Sequence, residues 1–81
     1  MEIHYVISWY DKETNVLLGE IKANPIPLTV LQEFFTLSAD GVLVYESHLI
    51  EQQQAQAIVS WIPLSFDFDH FIYQLDCFTN A

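Results

Sequence analysis

The chain has 81 residues, of which 52% are hydrophobic and 15% aromatic. That length provides one hydrophobic core but not two, and the apolar content excludes intrinsic disorder, so we expect a single acidic domain over residues 1–81. Eleven Asp and Glu residues against two lysines, with no arginine, give a formal net charge of −9. Contact with phosphates needs clustered Lys or Arg, so the composition disfavours direct binding to nucleic acid or to anionic membranes.

The sequence predicts a soluble cytoplasmic protein. Cys77 is the single cysteine, which excludes an intrachain disulfide, and secreted domains of this size usually need several. No stretch approaches the roughly 18 apolar residues of a membrane span. The first residues lack the basic segment and the apolar run of an export signal.

The first half of the chain predicts a β-hairpin. A turn over residues 11–15 separates a strand over residues 3–10 from a second strand that runs from Val16 to Ala23. Gly19 marks a bulge or a close crossing in the second strand. The first strand reads as a central one, and one of its faces consists of Ile3, Tyr5, Ile7 and Trp9.

A short helix follows the hairpin. Thr29 is placed to cap it, with Gln32 at the capping-box position, and residues 38–41 end it. Its apolar side chains recur at helical spacing, which is typical of a face that packs on a core. These side chains are Leu28, Leu31, Phe34 and Phe35.

The second half predicts a strand, a helix and a last strand. The strand runs from Val42 to Glu46, and the helix runs from Glu51 to Trp61, with Pro63 closing it. Ala55, Ile58, Trp61 and Ile62 form the buried face of that helix. The last strand follows residues 67–70 and points Phe71, Tyr73, Leu75 and Cys77 inwards.

The predicted order ββαβαβ defines an α+β fold, with a single small sheet of about four strands packed by two helices. The connection between the third and fourth strands contains a helix. It is therefore compatible with a parallel crossover as well as with antiparallel pairing.

The segment Asp67-Phe68-Asp69-His70 is the densest group of potential metal ligands. Alternate carboxylates on an extended segment can chelate a hard cation, but a calcium site needs six or more oxygens, and no nearby residue completes the set. Zinc needs about four Cys or His ligands, and His4, His48 and His70 lie far apart in the sequence. We therefore expect a polar loop here, with no metal and no cofactor.

The sequence shows no catalytic constellation. No Ser or Cys has an oriented base beside it, and the two glycines belong to no phosphate-binding motif. We expect no catalytic residue and no enzyme activity. A small enzyme that uses Asp67, Asp69 and His70 is the least favoured alternative.

Aromatic residues and carboxylates together indicate a protein partner. Interfaces concentrate Tyr and Trp, and aromatic anchors ringed by negative charge suit a basic protein. The alternative is that these rings only cover a thin core. The candidate contact residues are Tyr10, Glu13, Tyr45, Glu46, Asp67 and Asp69.

The order of these motifs resembles a group of small uncharacterised bacterial proteins, some of which are encoded among immunity proteins of toxin systems. The resemblance rests on the opening strand, on residues 11–14, 18–20, 31–35 and 71–75, and on Tyr45 before the helix start at Glu51. The end of the chain departs from the pattern, with Tyr73-Gln74-Leu75-Asp76 in place of a Tyr-Phe-Leu-Glu-like finish. The resemblance implies an inhibitor that occludes a toxin, and it carries over no catalytic residue.

We therefore expect a non-enzymatic protein-binding module, of the immunity or inhibitor type, that occludes a basic partner. One alternative is a structural homodimer or assembly subunit in which a second copy covers a sheet edge or an apolar patch. Another is an acidic mimic of DNA that occupies a nucleic-acid-binding protein.

Overall fold

The computed structural model describes residues 3–35 and 45–79 of the chain. It has the predicted α+β fold and the predicted order ββαβαβ. The strands are β1 (Ile3–Asp11), β2 (Leu17–Lys22), β3 (Tyr45–Ile50) and β4 (Phe71–Thr79). The helices are α1 (Leu28–Phe34) and α2 (Gln52–Ile58), and a 3₁₀ turn (Val59–Trp61) extends α2.

The four strands form one sheet in the order β2-β1-β4-β3, and every neighbouring pair is antiparallel. This order settles the alternative that the sequence left open, because the helical connection between β3 and β4 joins antiparallel neighbours. β1 is a central strand, as predicted. It pairs with β4 from Ile3 opposite Thr79 to Asp11 opposite Phe71, so the two longest strands form the middle of the sheet.

The β1–β2 turn is closed by hydrogen bonds to Asp11. The Asp11 amide donates to the Val16 carbonyl at 2.9 Å, and Oδ1 of Asp11 accepts from the amides of Glu13 at 2.8 Å and Thr14 at 3.0 Å. Asn15 has a φ of 61°, in the left-handed region where Asn is enriched. The turn is therefore built from Asp and Asn, whose short side chains suit local hydrogen bonding.

A bulge lies just beyond this turn. Trp9 pairs with Gly19 but Tyr10 pairs with Leu17, so that Leu18 is the extra residue on β2. A Cβ atom at Gly19 would lie 2.4 Å from Cζ2 of Trp9. Both expectations for Gly19, a bulge and a close approach, are therefore confirmed.

The core lies on one face of the sheet, and both helices cover that face. Ile7 of β1 lies opposite Leu75 of β4, and both are buried against the helices. The inward face predicted for the last strand is confirmed, since Tyr73, Leu75 and Cys77 are buried and Phe71 packs against them. The helices contribute Leu31, Ala55 and Ile58, and the adjoining segments contribute Ile26, Phe35 and Ile62.

The predicted cap of α1 is wrong. Pro27 occupies the N-cap position without a side-chain hydrogen bond, and Thr29 lies inside the first turn. The Pro27 carbonyl accepts from the amides of Val30 and Leu31, so the first turn closes through the backbone. Leu28 is exposed rather than part of the core face, because it lies at the helix start. The predicted end at residues 38–41 lies outside the described residues.

A capping box is present instead at the start of α2. The Glu51 amide donates to Oε1 of Gln54 at 2.7 Å, and the Gln54 amide donates to the Glu51 side chain. Ile58 and Ile62 are buried as predicted, but Trp61 is exposed. The cause is the 3₁₀ turn, whose three residues per turn rotate Trp61 away from the α-helical stripe.

β3 extends further than predicted. It reaches Ile50 rather than ending at Glu46, while residues 42–44 lie outside the described ranges. Its inward positions include the polar residues Glu46 and His48, which hide the alternation that marks a strand. No helix within residues 3–35 and 45–79 has the length and apolar character that a membrane crossing needs.

Candidate functional site

The sheet has a second face on which no described helix lies, and we call it the helix-free face. Side chains alternate along each strand, so the register defines its members. They are His4, Val6, Ser8 and Tyr10 of β1, Leu17, Glu20 and Lys22 of β2, Ser47 and Leu49 of β3, and Ile72, Gln74, Asp76 and Phe78 of β4.

A buried carboxylate lies at the centre of the helix-free face. Oδ2 of Asp76 accepts a hydrogen bond from the Ser8 hydroxyl at 2.7 Å, and Oδ1 lies 2.9 Å from the Ser47 hydroxyl. The Ser47 oxygen is also 2.9 Å from Oε1 of Gln74, and its single proton is donated to one acceptor at a time. Ser8 is 2% exposed and Asp76 is 8% exposed. These bonds join β1, β4 and β3 and fix their register.

An apolar strip crosses the helix-free face at the end that carries the β1–β2 turn. It takes one residue from each strand, namely Leu17, Tyr10, Ile72 and Leu49 in spatial order, and it runs obliquely because Leu49 pairs with Gln74, two residues after Ile72 on β4. Tyr10 lies opposite both Leu17 and Ile72. Leu17 is 51% exposed and Leu49 is 54% exposed. Grouped apolar side chains with this exposure are typical of binding surfaces.

Two loops meet beside the apolar strip, and their backbone contacts involve Lys12. The Lys12 amide donates to the His70 carbonyl at 3.0 Å, and Nζ of Lys12 donates to the Phe68 carbonyl at 3.1 Å. The loop before β4 is further held by the Asp67 amide, which donates to the Tyr73 hydroxyl at 2.9 Å. The turn and the loop therefore form one surface, which we call the acidic end after Asp11, Glu13, Asp67 and Asp69.

Hydrogen bonds lower the pKa of two carboxyl groups of the acidic end, Asp67 and Asp11. Nδ1 of His70 lies 2.8 Å from Oδ2 of Asp67, and this bond lowers the pKa of Asp67 and raises the pKa of His70. The pKa of Asp11 is lowered by the amides of Thr14 and Glu13. Both aspartates thus carry their charge at neutral pH.

The structure divides the predicted contact residues between two ends of the sheet. Glu13, Asp67 and Asp69 lie at the acidic end, and Tyr10 belongs to the apolar strip beside it. Tyr45 pairs with Phe78 and Glu46 pairs with Cys77, about 20 Å away along β4 at ~3.3 Å per residue. Glu46 also lies on the core side, with Oε1 2.9 Å from Nε2 of His48.

Sequence reasoning missed Leu17, Leu49 and Ile72. The signal for Leu17 was the consecutive run Val16-Leu17-Leu18, because a strand covered on one face alternates apolar and polar residues. Ile72 likewise follows the inward Phe71 directly. The centre of the face gave no such signal, since Ser8 and Asp76 are brought together only by long-range strand pairing.

The Cys77 thiol is buried, and the Asp67 carboxylate is hydrogen-bonded within its own loop. Burial raises the pKa of Cys77 to about 11, so the thiol stays protonated at neutral pH. The Asp67 carboxylate accepts from the Asp69 amide at 3.1 Å besides its contact with His70. Among the described residues, no three His, Cys, Asp or Glu side chains are arranged to hold a metal ion.

These features define an α+β protein with an antiparallel sheet, two helices on one face, an apolar strip on the other, and an acidic end where the central strands meet their loops. The family model described as "Domain of unknown function (DUF7683)" matches residues 4–76. The chain therefore belongs to this family. No curated protein matches the chain, and no solved structure does.

Proposed function

We propose that the chain is a non-enzymatic protein-binding module of the inhibitor type, which applies the helix-free face of its sheet to a basic partner protein. The observation that carries this proposal is the apolar strip, which lies on the face without a described helix in a protein of net charge −9. Burial of such a strip supplies affinity, and the surrounding charge selects the sign of the partner.

The apolar strip has the composition of an interface centre. Tyr10 combines a large apolar ring with a hydroxyl, and Leu17 and Leu49 are more than half exposed beside it. Aromatic and aliphatic side chains at the middle of a contact provide most of its binding energy, while a polar rim excludes water. Glu13 and Asp69 are exposed and supply such a rim at the acidic end.

The charge distribution supports a basic partner over a second copy of the chain. Of the two lysines, Lys12 donates from Nζ to the Phe68 carbonyl of the loop before β4, so its charged group points towards the protein. A second copy would bring the same excess of carboxylates, and like charges placed across a contact are costly. A basic protein would instead be steered towards this surface, which raises its association rate.

The inhibitor role is supported by the resemblance to small bacterial proteins, some of which are encoded among immunity proteins of toxin systems, because an immunity protein acts by covering a toxin. We also propose a cytoplasmic location, because the single cysteine is buried and forms no disulfide. On this proposal the module has no substrate, and its activity is the occlusion of its partner.

The test begins with capture of a basic protein from a lysate of the source cells at low salt, followed by rate measurements with the purified pair. We expect the association rate to fall at least about tenfold from low to high salt. Glu13→Lys should slow association, whereas Glu33→Lys should do so much less. The second variant changes the net charge equally, but its exposed position lies on α1, on the other side of the sheet.

Two results would contradict the proposal. An association rate indifferent to salt would exclude electrostatic selection of the partner. A concentration-dependent dimer mass in sedimentation, with no basic protein captured, would favour the homodimer instead.

A further inference from the structure

We propose that the apolar strip binds a basic amphipathic helix of the partner. The apolar face of that helix would lie on Leu17, Tyr10, Ile72 and Leu49, and its lysine or arginine side chains would reach the carboxylates on both sides of the strip. This inference rests on the proposed function and names the element of the partner that the surface fits.

The dimensions of the apolar strip match two to three turns of helix. The strip spans about 14 Å across four strands that lie about 4.8 Å apart, and Leu49 is displaced from Ile72 by two residues, about 7 Å, along β4. Its length along this diagonal is therefore about 16 Å. Apolar side chains at positions i and i+7 of a helix are separated by about 10 Å along the axis, and those at i and i+11 by about 16 Å. A helix lying along the strip would therefore place three or four apolar side chains on it.

Carboxylates follow the apolar strip in both directions along the strands. Towards the sheet centre, Glu20 is exposed on the same face and pairs with Ser8, the next outward residue of β1 before Tyr10. In the other direction the strands run into the acidic end, where the exposed Glu13 is three residues after Tyr10 and the exposed Asp69 is three residues before Ile72. A basic amphipathic helix carries its Lys and Arg residues along the edges of its apolar face, so its charges match this arrangement.

A helix fits this surface better than an added β-strand does. An added strand would run along one of the two edge strands, β2 or β3, whereas the apolar strip runs across all four strands. The bulge at Leu18 also interrupts the regular ladder at this end of β2, which weakens the edge as a template for pairing.

A second copy of the chain cannot provide the required helix. Both lysines of the chain lie outside α1 and α2, and the chain has no arginine. The exposed polar residues of these two helices are Thr29, Gln32 and Glu33, and Gln52, Gln53 and Gln56. The occupant is therefore a helix of another protein.

The experiment titrates the full-length, isotope-labelled protein with three synthetic peptides and follows the backbone amide resonances by NMR. The first peptide is a Leu/Lys amphipathic helix with apolar residues at i, i+4, i+7 and i+11. The second has the same composition in an order that breaks the apolar stripe, and the third replaces every Lys by Glu. We expect only the first peptide to shift the amides of Tyr10, Leu17, Leu49 and Ile72.

Two matched variants separate this surface from the rest of the molecule. Leu49→Ser removes one apolar contact of the strip and should lower the affinity for the Leu/Lys helix about tenfold. Val59→Ser makes the same kind of change at a residue that is 44% exposed in the 3₁₀ turn after α2. The affinity of this control variant should equal that of the unchanged protein.

The outcomes distinguish the two proposals. Equal salt-dependent binding of both Lys-containing peptides at Glu13 and Asp69, without shifts along the strip, would overturn the helix-binding role and leave the basic-partner function standing. Shifts centred on α2, or an equal loss of affinity in Leu49→Ser and Val59→Ser, would also overturn it. Equal binding of the Lys and Glu peptides would count against both proposals.

Discussion

Single residues at the ends of the strands determine how closely β1 and β2 approach. Trp9 packs against the core with one edge of its ring over Gly19, where a side chain would meet ring carbons. Gly19 is therefore required by packing. The turn requires a left-handed backbone at Asn15 instead, where φ is positive. The pair Trp9 and Gly19 is a sensitive point of the hairpin.

Gly19→Ala should destabilise the fold by about 1–3 kcal/mol, because the new Cβ would overlap the Trp9 ring. The measurement is the free energy of unfolding in urea. Trp9→Phe in the same background provides the control, since a smaller ring leaves room for the methyl group. The cost of Gly19→Ala should then fall, and an unchanged cost would show that the ring is not the obstacle.

His70 gives the acidic end a pH dependence. Its pKa is raised from the ordinary 6.5 mainly by the hydrogen bond to Asp67, and the pKa of Asp67 is lowered from 3.8 by the same bond. The histidine's contribution to stability is present in full below 6.5 and is lost as the pH rises through the raised pKa. The aspartate's contribution is present above 3.8 and is lost as the pH falls through the lowered pKa. The pair therefore stabilises the loop most between these two ordinary values.

Asp67→Asn should return the pKa of His70 towards 6.5, because it removes the charge and the strongest hydrogen bond. An NMR titration of the imidazole resonances measures this pKa directly. Asp69→Asn is the matched control and should lower the pKa less, since Asp69 acts on the ring only through its charge. Equal effects of the two variants would contradict the assigned hydrogen bond.

At the scale of the elements, the capping box of α2 also links the two helices. The Gln54 side-chain oxygen accepts from the Glu51 amide, and its Nε2 donates to the Phe34 carbonyl at 3.0 Å. Phe34 is the last residue of α1, where carbonyls have no partner within the helix. The side chain of Gln54 therefore hydrogen-bonds a backbone amide at the start of α2 and a backbone carbonyl at the end of α1.

Gln54→Ala should cost about 1–2 kcal/mol of folding stability, because both groups lose a hydrogen bond. Thermal and urea unfolding of the variant measure this cost. Gln53→Ala is the control, since Gln53 is exposed on the same helix and alanine is a better helix former. A loss of the same size in both variants would mean that the capping box does not contribute.

Local patterns predicted the elements more accurately than their ends. Alternation in β1 and β4 identified the inward residues Ile7 and Leu75, because the period of a strand is visible in the sequence. The start of α1 was misplaced because Pro27 and Thr29 are both suitable at a helix start, and only the backbone geometry distinguishes them. Glu46 and His48 concealed the rest of β3, because polar residues on an inward face break the expected pattern.

At the scale of the whole molecule, the sheet order was out of reach of the sequence. The candidate site depends on it, because the apolar strip exists only when β2, β1, β4 and β3 lie side by side. Ser8 and Asp76 are 68 residues apart and yet share a hydrogen bond. The composition showed the excess of carboxylates. Only the strand register showed that the predicted contact residues are divided between two ends of the sheet.

The position of β4 has a consequence for biosynthesis. It follows β1, β2 and β3 in sequence but lies between β1 and β3, so the sheet cannot be completed until β4 has emerged from the ribosome. Until then β1 has an open edge and the inward face of the hairpin is incomplete. Such long-range pairing slows folding and exposes apolar surface in the interim. The excess of carboxylates acts at this stage too, since charge of one sign keeps unfinished chains apart.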